Sequence, residues 1–256
     1  MPLLEVGAIT MQFGGLTALN GLGFTIDEGE IKGLIGPNGA GKTTFFNIVT
    51  GVYEPTSGTV SFEGASLLGR KPHAITRAGI ARTFQNIRLF ANMTALENVM
   101  VGADAHSSTT VGGAILRSPR ARRSERAALE RASEMLDRVG IGHLGGSVAK
   151  NLSYGDQRRV EIARALATGP RLVLLDEPAA GMNPTEKAAL MRLIREIRDS
   201  GVTVLLIEHD MKVVMGICEN VVVLDFGQKI AEGAPEHVQR DPAVIEAYLG
   251  AGAAKQ

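Results

Sequence analysis

The sequence predicts an α/β fold: a parallel sheet covered by helices, with an antiparallel β flank and an inserted α-helical subdomain. Three observations carry this. Short aliphatic runs at 33–35, 172–175, 202–207 and 221–224 are apolar on both alternating faces, as strands covered by helices on both sides are. Helical stretches separate the last three runs, notably 184–200, where Leu190, Leu193, Ile194 and Ile197 line one face; strand, helix, strand in repetition is the α/β pattern. The first third differs, with strand-like pieces at 3–9, 22–26 and 59–62 separated by turns such as Asp27-Glu28-Gly29-Glu30 and Pro55-Thr56-Ser57-Gly58, which reads as an antiparallel flank.

Taken in order, the first pieces lead to the apolar strand 31–35, which runs into Gly36-Pro37-Asn38-Gly39-Ala40-Gly41-Lys42-Thr43, and Thr44-Phe45-Phe46-Asn47-Ile48 continues as a helix. Thr94-Ala95-Leu96-Glu97 has the S/T-x-x-E form of a capping box and opens a helical region that includes 124–139, rich in Ala, Glu and Arg; residues 86–150 therefore read as a helical insert. Ser153 is placed to cap the next helix, which runs through Gln157, Val160, Ile162 and Leu166, since Ser-x-x-Asp resembles the capping arrangement at a helix entrance. The expected organisation is one domain over 1–256: a core with its β flank at 1–85 and 159–240, a helical subdomain at 86–158 that includes Ser153, and a C-terminal tail at 241–256, loose over the Gly- and Ala-rich 250–256. No internal repeat is visible.

Bulk properties narrow the function classes. With 256 residues and 45% hydrophobic content the chain can bury a full core, so disorder is excluded as a description. Lys plus Arg and Asp plus Glu are both 27, leaving no net basic field to attract a nucleic-acid backbone. Cys218 is the single cysteine, so neither an intrachain disulfide nor a multi-cysteine metal site can form. The start lacks the pattern of a secretory signal, and the longest apolar runs, such as 202–207, fall far short of the roughly 20 residues that span a bilayer. The arginine-rich run 117–126 reads as a solvated face.

The chemistry is concentrated in four separated segments, 36–43, 152–156, 172–177 and Glu208-His209-Asp210. Residues 36–43 fulfil G-x-x-x-x-G-K-[ST] between a strand and a helix, the context in which glycines let the backbone wrap a phosphate and the helix start adds N–H donors and a favourable dipole. Lys42 then meets the β- and γ-phosphates and the Thr43 hydroxyl ligates Mg²⁺. Leu172-Val173-Leu174-Leu175-Asp176-Glu177 suits a buried strand that delivers two carboxylates to its C-terminal end, where ligands sit in open α/β sheets; Asp176 holds Mg²⁺, directly or through water, and Glu177 polarises an attacking water. Alone, Asp-Glu-Pro is as readily a turn with helix-capping acids. Leu152-Ser153-Tyr154-Gly155-Asp156, a serine and a glycine at a helix start, makes an anion site. That site is redundant if the γ-phosphate already lies in the first loop of the same molecule, which points to a second subunit; the alternative is an ordinary capped surface helix.

The chain resembles the ATP-binding cassette ATPases over essentially its whole length. In that resemblance 36–43 is Walker A, Gln85 the Q-loop glutamine, 152–156 the signature, Asp176 and Glu177 the Walker B pair, 180–183 the D-loop and His209 the switch histidine, all in family order. It implies a P-loop NTPase (RecA-like) core, ATPase activity, ATP and Mg²⁺ as ligands, and a head-to-tail dimer in which Walker A of one subunit and the signature of the other sandwich ATP. Nucleotide contacts fall to Gly36, Pro37, Asn38, Gly39, Ala40, Gly41, Lys42, Thr43, Thr44, Ser153, Gly155 and Asn183; Gln85 joins Thr43 and Asp176 at Mg²⁺ and senses the membrane partner, and His209 meets the γ-phosphate. Phe13 takes the position of the aromatic that stacks on adenine. Read without the family, Gln85 is a polar loop residue, His209 a solvated strand-end histidine and Phe13 a core residue. Two departures stand out: the usual signature is Leu-Ser-Gly-Gly-Gln, where this chain has Tyr154 and Asp156, and the usual D-loop aspartate is Asn183.

A finer resemblance, to the ATPases of bacterial branched-chain (hydrophobic) amino acid importers, is carried by Phe13-Gly14-Gly15-Leu16, by 82–90, by 177–184, by 207–212 and by 241–250. It implies a peripheral subunit on the cytoplasmic face of the inner membrane, a homo- or heterodimeric second ATPase, two membrane permeases, a secreted solute-binding protein and no nucleic-acid partner. Cargo is not physically encoded in the chain, so relatives that move urea, other amides or lipid-linked cargo stay open. So do a soluble cassette ATPase of DNA repair or the ribosome, though the long coiled-coil insertion or second cassette usual there is missing, and a regulatory module without hydrolysis, against which Lys42, Glu177 and His209 are all retained.

Overall fold

Alternation of apolar and polar residues decides the first sheet. In β1 (Leu4–Phe13) the buried Leu4, Val6, Ile9 and Met11 face inward. Between Val6 and Ile9 strict alternation would turn Ile9 outward; the register slips there, with Ala8 at φ 47°, and Ile9 stays in the core. β1 pairs antiparallel with β2 (Leu16–Ile26) and with β4 (Ser57–Phe62), whose outer neighbour is β5 (Ala65–Ser66), giving the order β2-β1-β4-β5. The antiparallel flank is longer than the apolar pieces suggest, because Phe13 pairs Leu16 across a two-glycine turn, Gly14 at φ 58°.

These strands belong to the first of two units described by the computed structural model, which covers residues 2–106 and 119–253. The units are Met1–Ile75 with Leu174–Gln256, and Thr76–Val173. The second sheet of the first unit centres on β3 (Ile31–Ile35), buried at every position. It is parallel to β8 (Thr203–Ile207) on one side and to β9 (Asn220–Asp225) on the other, and both neighbours are apolar through their middles, as central strands require. β10 (Gln228–Gly233) closes one edge antiparallel to β9. It is mostly polar, and so carries no apolar run. β7 (Leu172–Asp176) follows β8 in the order β10-β9-β3-β8-β7. The helix Pro184–Asp199 buries Leu190, Leu193, Ile194 and Ile197, the four residues its spacing singles out. Cys218 is buried, which pushes its thiol up to about 12 and leaves it inert. Most of the segment expected as a tail is the helix Pro242–Ala253, with Val244 in the core; 254–256 lie outside the described residues.

In the second unit, β6 (Ile80–Arg82) follows Gly79, whose carbonyl accepts the N–H groups of Arg171 and Leu172 at 2.8 and 3.1 Å. Three helices, Ala95–Ala103, Pro119–Arg138 and Tyr154–Ala167, pack on one another. The first carries the expected capping box between Thr94 and Glu97. The second exposes Arg122, Arg123 and Arg126, a solvated face, while Arg117 and Ser118 lie outside the described residues. The first and third helices approach so closely at Gly102 that a Cβ there would lie 2.1 Å from the Arg164 carbonyl oxygen.

Gly102→Ala is therefore expected to cost about 1–3 kcal/mol by overpacking, read as a lowered thermal midpoint. Gly146→Ala, where an added Cβ meets nothing within 4 Å, stays within about 0.5 kcal/mol of the parent.

Candidate active site

β3 ends at Ile35, and the next six residues, Gly36 to Gly41, reverse the chain into the helix Lys42–Val49. Two glycines make the reversal possible. Gly36 has φ 146° and a Cβ on it would lie 2.0 Å from the Leu224 carbonyl oxygen; Gly41 has φ 104° and a Cβ there would meet the Ala18 carbonyl oxygen at 2.6 Å. Gly41 is the N-cap and makes no side-chain cap bond, so the first-turn N–H groups are free of an internal acceptor and present positive charge to an anion. The Lys42 ammonium arches over its own loop, donating to the carbonyls of Gly36 at 2.7 Å and Pro37 at 2.9 Å. Burial pulls its pKa down, and the carboxylates of Glu177 and Asp176 act against that pull. A buried cation between backbone carbonyls and two carboxylates is a receptor for a polyphosphate.

The carboxylates arrive as β7 predicts. Asp176 is the buried last residue of the strand. Glu177 follows at φ 47°, a left-handed conformation that costs a non-glycine roughly 1–2 kcal/mol, and its N–H donates to the Ile207 carbonyl at 2.9 Å. That turn aims the Glu177 side chain at His209, whose Nδ1 lies 3.5 Å from Glu177 Oε2. Thr43 is exposed at the first turn of its helix. Among the described residues no group of three or more His, Cys, Asp or Glu is gathered for a metal; one hydroxyl and one carboxylate fit Mg²⁺ all the same, because that ion keeps waters and takes its other ligands from phosphate.

A residue to which the sequence reading gives no role of its own, though it lies in the segment Glu208-His209-Asp210, holds this corner together. Glu208 is fully buried; its Oε1 accepts the Ala179 N–H at 2.8 Å, and its Oε2 accepts those of His209 at 3.1 Å and Asp210 at 3.3 Å. Burial raises its pKa and the three N–H groups oppose the rise. Asp210 then caps the helix Met211–Ile217 and takes the Lys187 ammonium at 2.6 Å, which holds the Asp210 carboxyl below its ordinary range. The one signal in the sequence is a carboxylate directly continuing the apolar run 203–207. Asn183 is committed to a capping box with Glu186 ahead of Pro184. Phe13 is 42% exposed and stands edge-on to Tyr53, ring centroids 5.3 Å apart, so it is not a core residue, and Tyr53 is a second aromatic beside it that the sequence gives no reason to choose.

Ser153, Gly155 and Gln85 belong to the second unit. Ser153 is the N-cap of the helix Tyr154–Ala167: its Oγ accepts the Asp156 N–H at 3.2 Å and donates to Asp156 Oδ2 at 2.7 Å. The Gln85 carbonyl accepts Arg158 Nη2 at 2.7 Å, and the same nitrogen donates to the Tyr154 hydroxyl at 3.1 Å.

With this geometry in place, comparison with known proteins is decisive. The ABC transporter family matches residues 19–180, and the family described as branched-chain amino acid ATP-binding cassette transporter matches 228–254. The chain belongs to the ABC transporter ATP-binding family. As a member of it, the cassette binds ATP and hydrolyses it to drive transport. It is 48% identical over 250 residues to the high-affinity branched-chain amino acid transport ATP-binding protein BraF of Pseudomonas aeruginosa, covering 97% of this chain and 98% of that one. It is 47% identical over 250 residues to the LivG protein of Escherichia coli (strain K12), with the same coverage of 97% and 98%. A solved ATP-binding cassette of an ABC transporter in its ADP conformation superposes with a TM-score of 0.85 at 33% identity, covering 98% of this chain and 99% of that chain. A dimeric post-hydrolysis cassette bound to ADP and Pi gives 0.77 at 26% identity, covering 91% and 98%. The α/β cassette core, the antiparallel β flank and the helical insert are thus the fold of the family.

Removing the buried acceptor tests the corner that carries His209. Glu208→Ala leaves three backbone N–H groups without their carboxylate and is expected to cost about 2–4 kcal/mol, seen as a fall in the thermal midpoint accompanied by a loss of ATP turnover.

Proposed function

We propose that this chain is the ATP-binding subunit of a high-affinity branched-chain amino acid importer, working as a dimer with a second cassette and driving two permease subunits supplied by a secreted solute-binding protein. The observation that carries the chemistry is the buried Lys42 ammonium facing Asp176 and Glu177 at the end of β7; the cargo rests on the names of the relatives BraF and LivG. Among the described residues no helix is long and apolar enough to cross a membrane, which suits a subunit docked on the cytoplasmic face of the inner membrane through permeases.

In this reading the backbone N–H groups of Gly36, Asn38, Gly39, Ala40 and Gly41 cradle the phosphates, Pro37, which has no N–H, shapes the loop around them, Lys42 grips the β- and γ-oxygens, and Thr44 adds a donor at the helix start. Thr43, Asp176 and Gln85 hold Mg²⁺, which when bound neutralises charge on the phosphate oxygens. Glu177 orients the attacking water and draws on its proton, and His209, held beside it by the Glu208 turn, donates to the γ-phosphate. Phe13, with Tyr53 at its edge, stacks on adenine. Ser153 and Gly155 of the opposite subunit complete the γ-phosphate site from a helix N-terminus, and Asn183 steadies the seam. Residues 86–158 act as the helical subdomain that carries the signature and meets the permeases, with Gln85 at its base; 1–85 and 159–240 act as the core.

Glu177→Gln keeps the shape and removes the base. Turnover is expected to fall about 10²–10⁴-fold while MgATP binding survives, so gel filtration with saturating MgATP and the partner ATPase shows an accumulated dimer. A strictly monomeric variant under those conditions contradicts the proposed seam. A deletion strain that still takes up leucine, isoleucine and valine at the parental rate contradicts the cargo.

A further inference from the structure

A buried ion pair in the second unit joins two segments to which the proposed function gives separate tasks. Arg158 and Glu161 lie one turn apart on the helix Tyr154–Ala167, 0% and 1% exposed, with Arg158 Nη1 2.7 Å from Glu161 Oε2. The guanidinium reaches outward in two directions. Nη1 donates to the Phe84 carbonyl at 2.6 Å and Nη2 to the Gln85 carbonyl at 2.7 Å; Nη2 also donates to the Tyr154 hydroxyl at 3.1 Å. The other carboxylate oxygen, Glu161 Oε1, accepts the N–H groups of Phe84 at 3.3 Å and Arg88 at 3.4 Å. The pair therefore grips the backbone of 84–88 from both polarities, while its third arm ends on the first turn of the helix that Ser153 caps.

Apolar side chains of similar volume would fasten a loop to a helix without the desolvation penalty of two buried charges. What the charged pair supplies is direction: a planar fork fixes two successive carbonyls in angle as well as distance. Tyr154 is also the place where the signature departs from the family form, and the glycine usual there has no hydroxyl to offer. The departure thus adds one bond, Tyr154 to Arg158, to the clamp.

We propose that Arg158, fixed by Glu161, is a positioning residue that makes the Gln85 segment and the Ser153 helix start move as one piece, so that nucleotide engaged at Ser153 is felt by the Gln85 loop through Tyr154. The inference rests on the roles proposed above for Ser153 and Gln85. Arg158→Lys keeps a cation for Glu161 but loses the fork, and Tyr154→Phe removes a single bond from a half-exposed ring and leaves every bond to 84–88 in place, so the second variant decides the test if the first does not fold.

The test is amide hydrogen exchange on the full-length chain carrying Glu177→Gln, with its partner ATPase, with and without MgATP, followed at 84–88 and 153–157. In the parent, MgATP slows exchange at both segments. In Tyr154→Phe and Arg158→Lys the slowing at 153–157 persists, while that at 84–88 shrinks by roughly three- to tenfold. A clamp with only a structural role speeds exchange at both segments by the same factor with and without nucleotide and leaves the MgATP effect at 84–88 intact; that result overturns the proposal. Absence of any MgATP effect at 153–157 in the parent instead sinks the seam itself, and the positioning role with it.

Discussion

The Lys42 ammonium, drawn out of water and held opposite Asp176 and Glu177, is the interaction on which the first unit turns. A buried lysine is tolerable only when its charge is answered, and here the answer comes from backbone carbonyls of its own loop and from carboxylates at the end of β7. A loop can offer carbonyls to its own lysine only by closing tightly, and the loop closes because Gly36 and Gly41 adopt backbone angles closed to other residues at places where a Cβ would strike neighbouring backbone. The central position of β3 is the mechanical counterpart. With parallel strands on both sides, the end of β3 cannot drift relative to the end of β8, and so the phosphate loop keeps its place beside the turn that carries His209.

Strain and burial in that turn serve the same end. Glu177 leaves β7 in a left-handed conformation, an unfavourable geometry that persists where the surroundings over-determine it. The surroundings are visible: its N–H is tied to β8, and Glu208 binds the loop after Glu177 to the loop bearing His209 through three N–H groups. The second unit repeats the logic with Arg158 and Glu161. In both, a fully buried carboxylate organises backbone rather than pairing only with a side chain, and each fixes the approach of a residue expected to meet nucleotide or magnesium.

Much of this was legible in the sequence. The parallel strands announce themselves as apolar runs, the phosphate loop by its glycines and lysine, and the capping residues Thr94 and Ser153 by their spacing to Glu97 and Asp156. What escaped has a common cause. Polar and glycine-rich strand, as in β10 and the ends of β1 and β2 at Gly14 and Gly15, shows no apolar period because backbone pairing alone holds it. Glu208, Glu161 and Arg158 receive no role of their own from the sequence, since a single chain of letters cannot say that three N–H groups or two carbonyls will converge on them. Tyr154 appeared only as a departure from a motif; its hydroxyl acquires meaning through a residue four positions on, inside the unit.

The central claim is that ATP is clasped by the lysine loop of one cassette and the serine-capped helix of the other. It is tested most directly by the structure of the assembled transporter carrying Glu177→Gln with MgATP bound. The account predicts the Ser153 hydroxyl within about 3 Å of the γ-phosphate of the nucleotide gripped by the second ATPase subunit. Ser153 turned to solvent in that assembly, with the γ-phosphate met only by the subunit that holds it, contradicts the account.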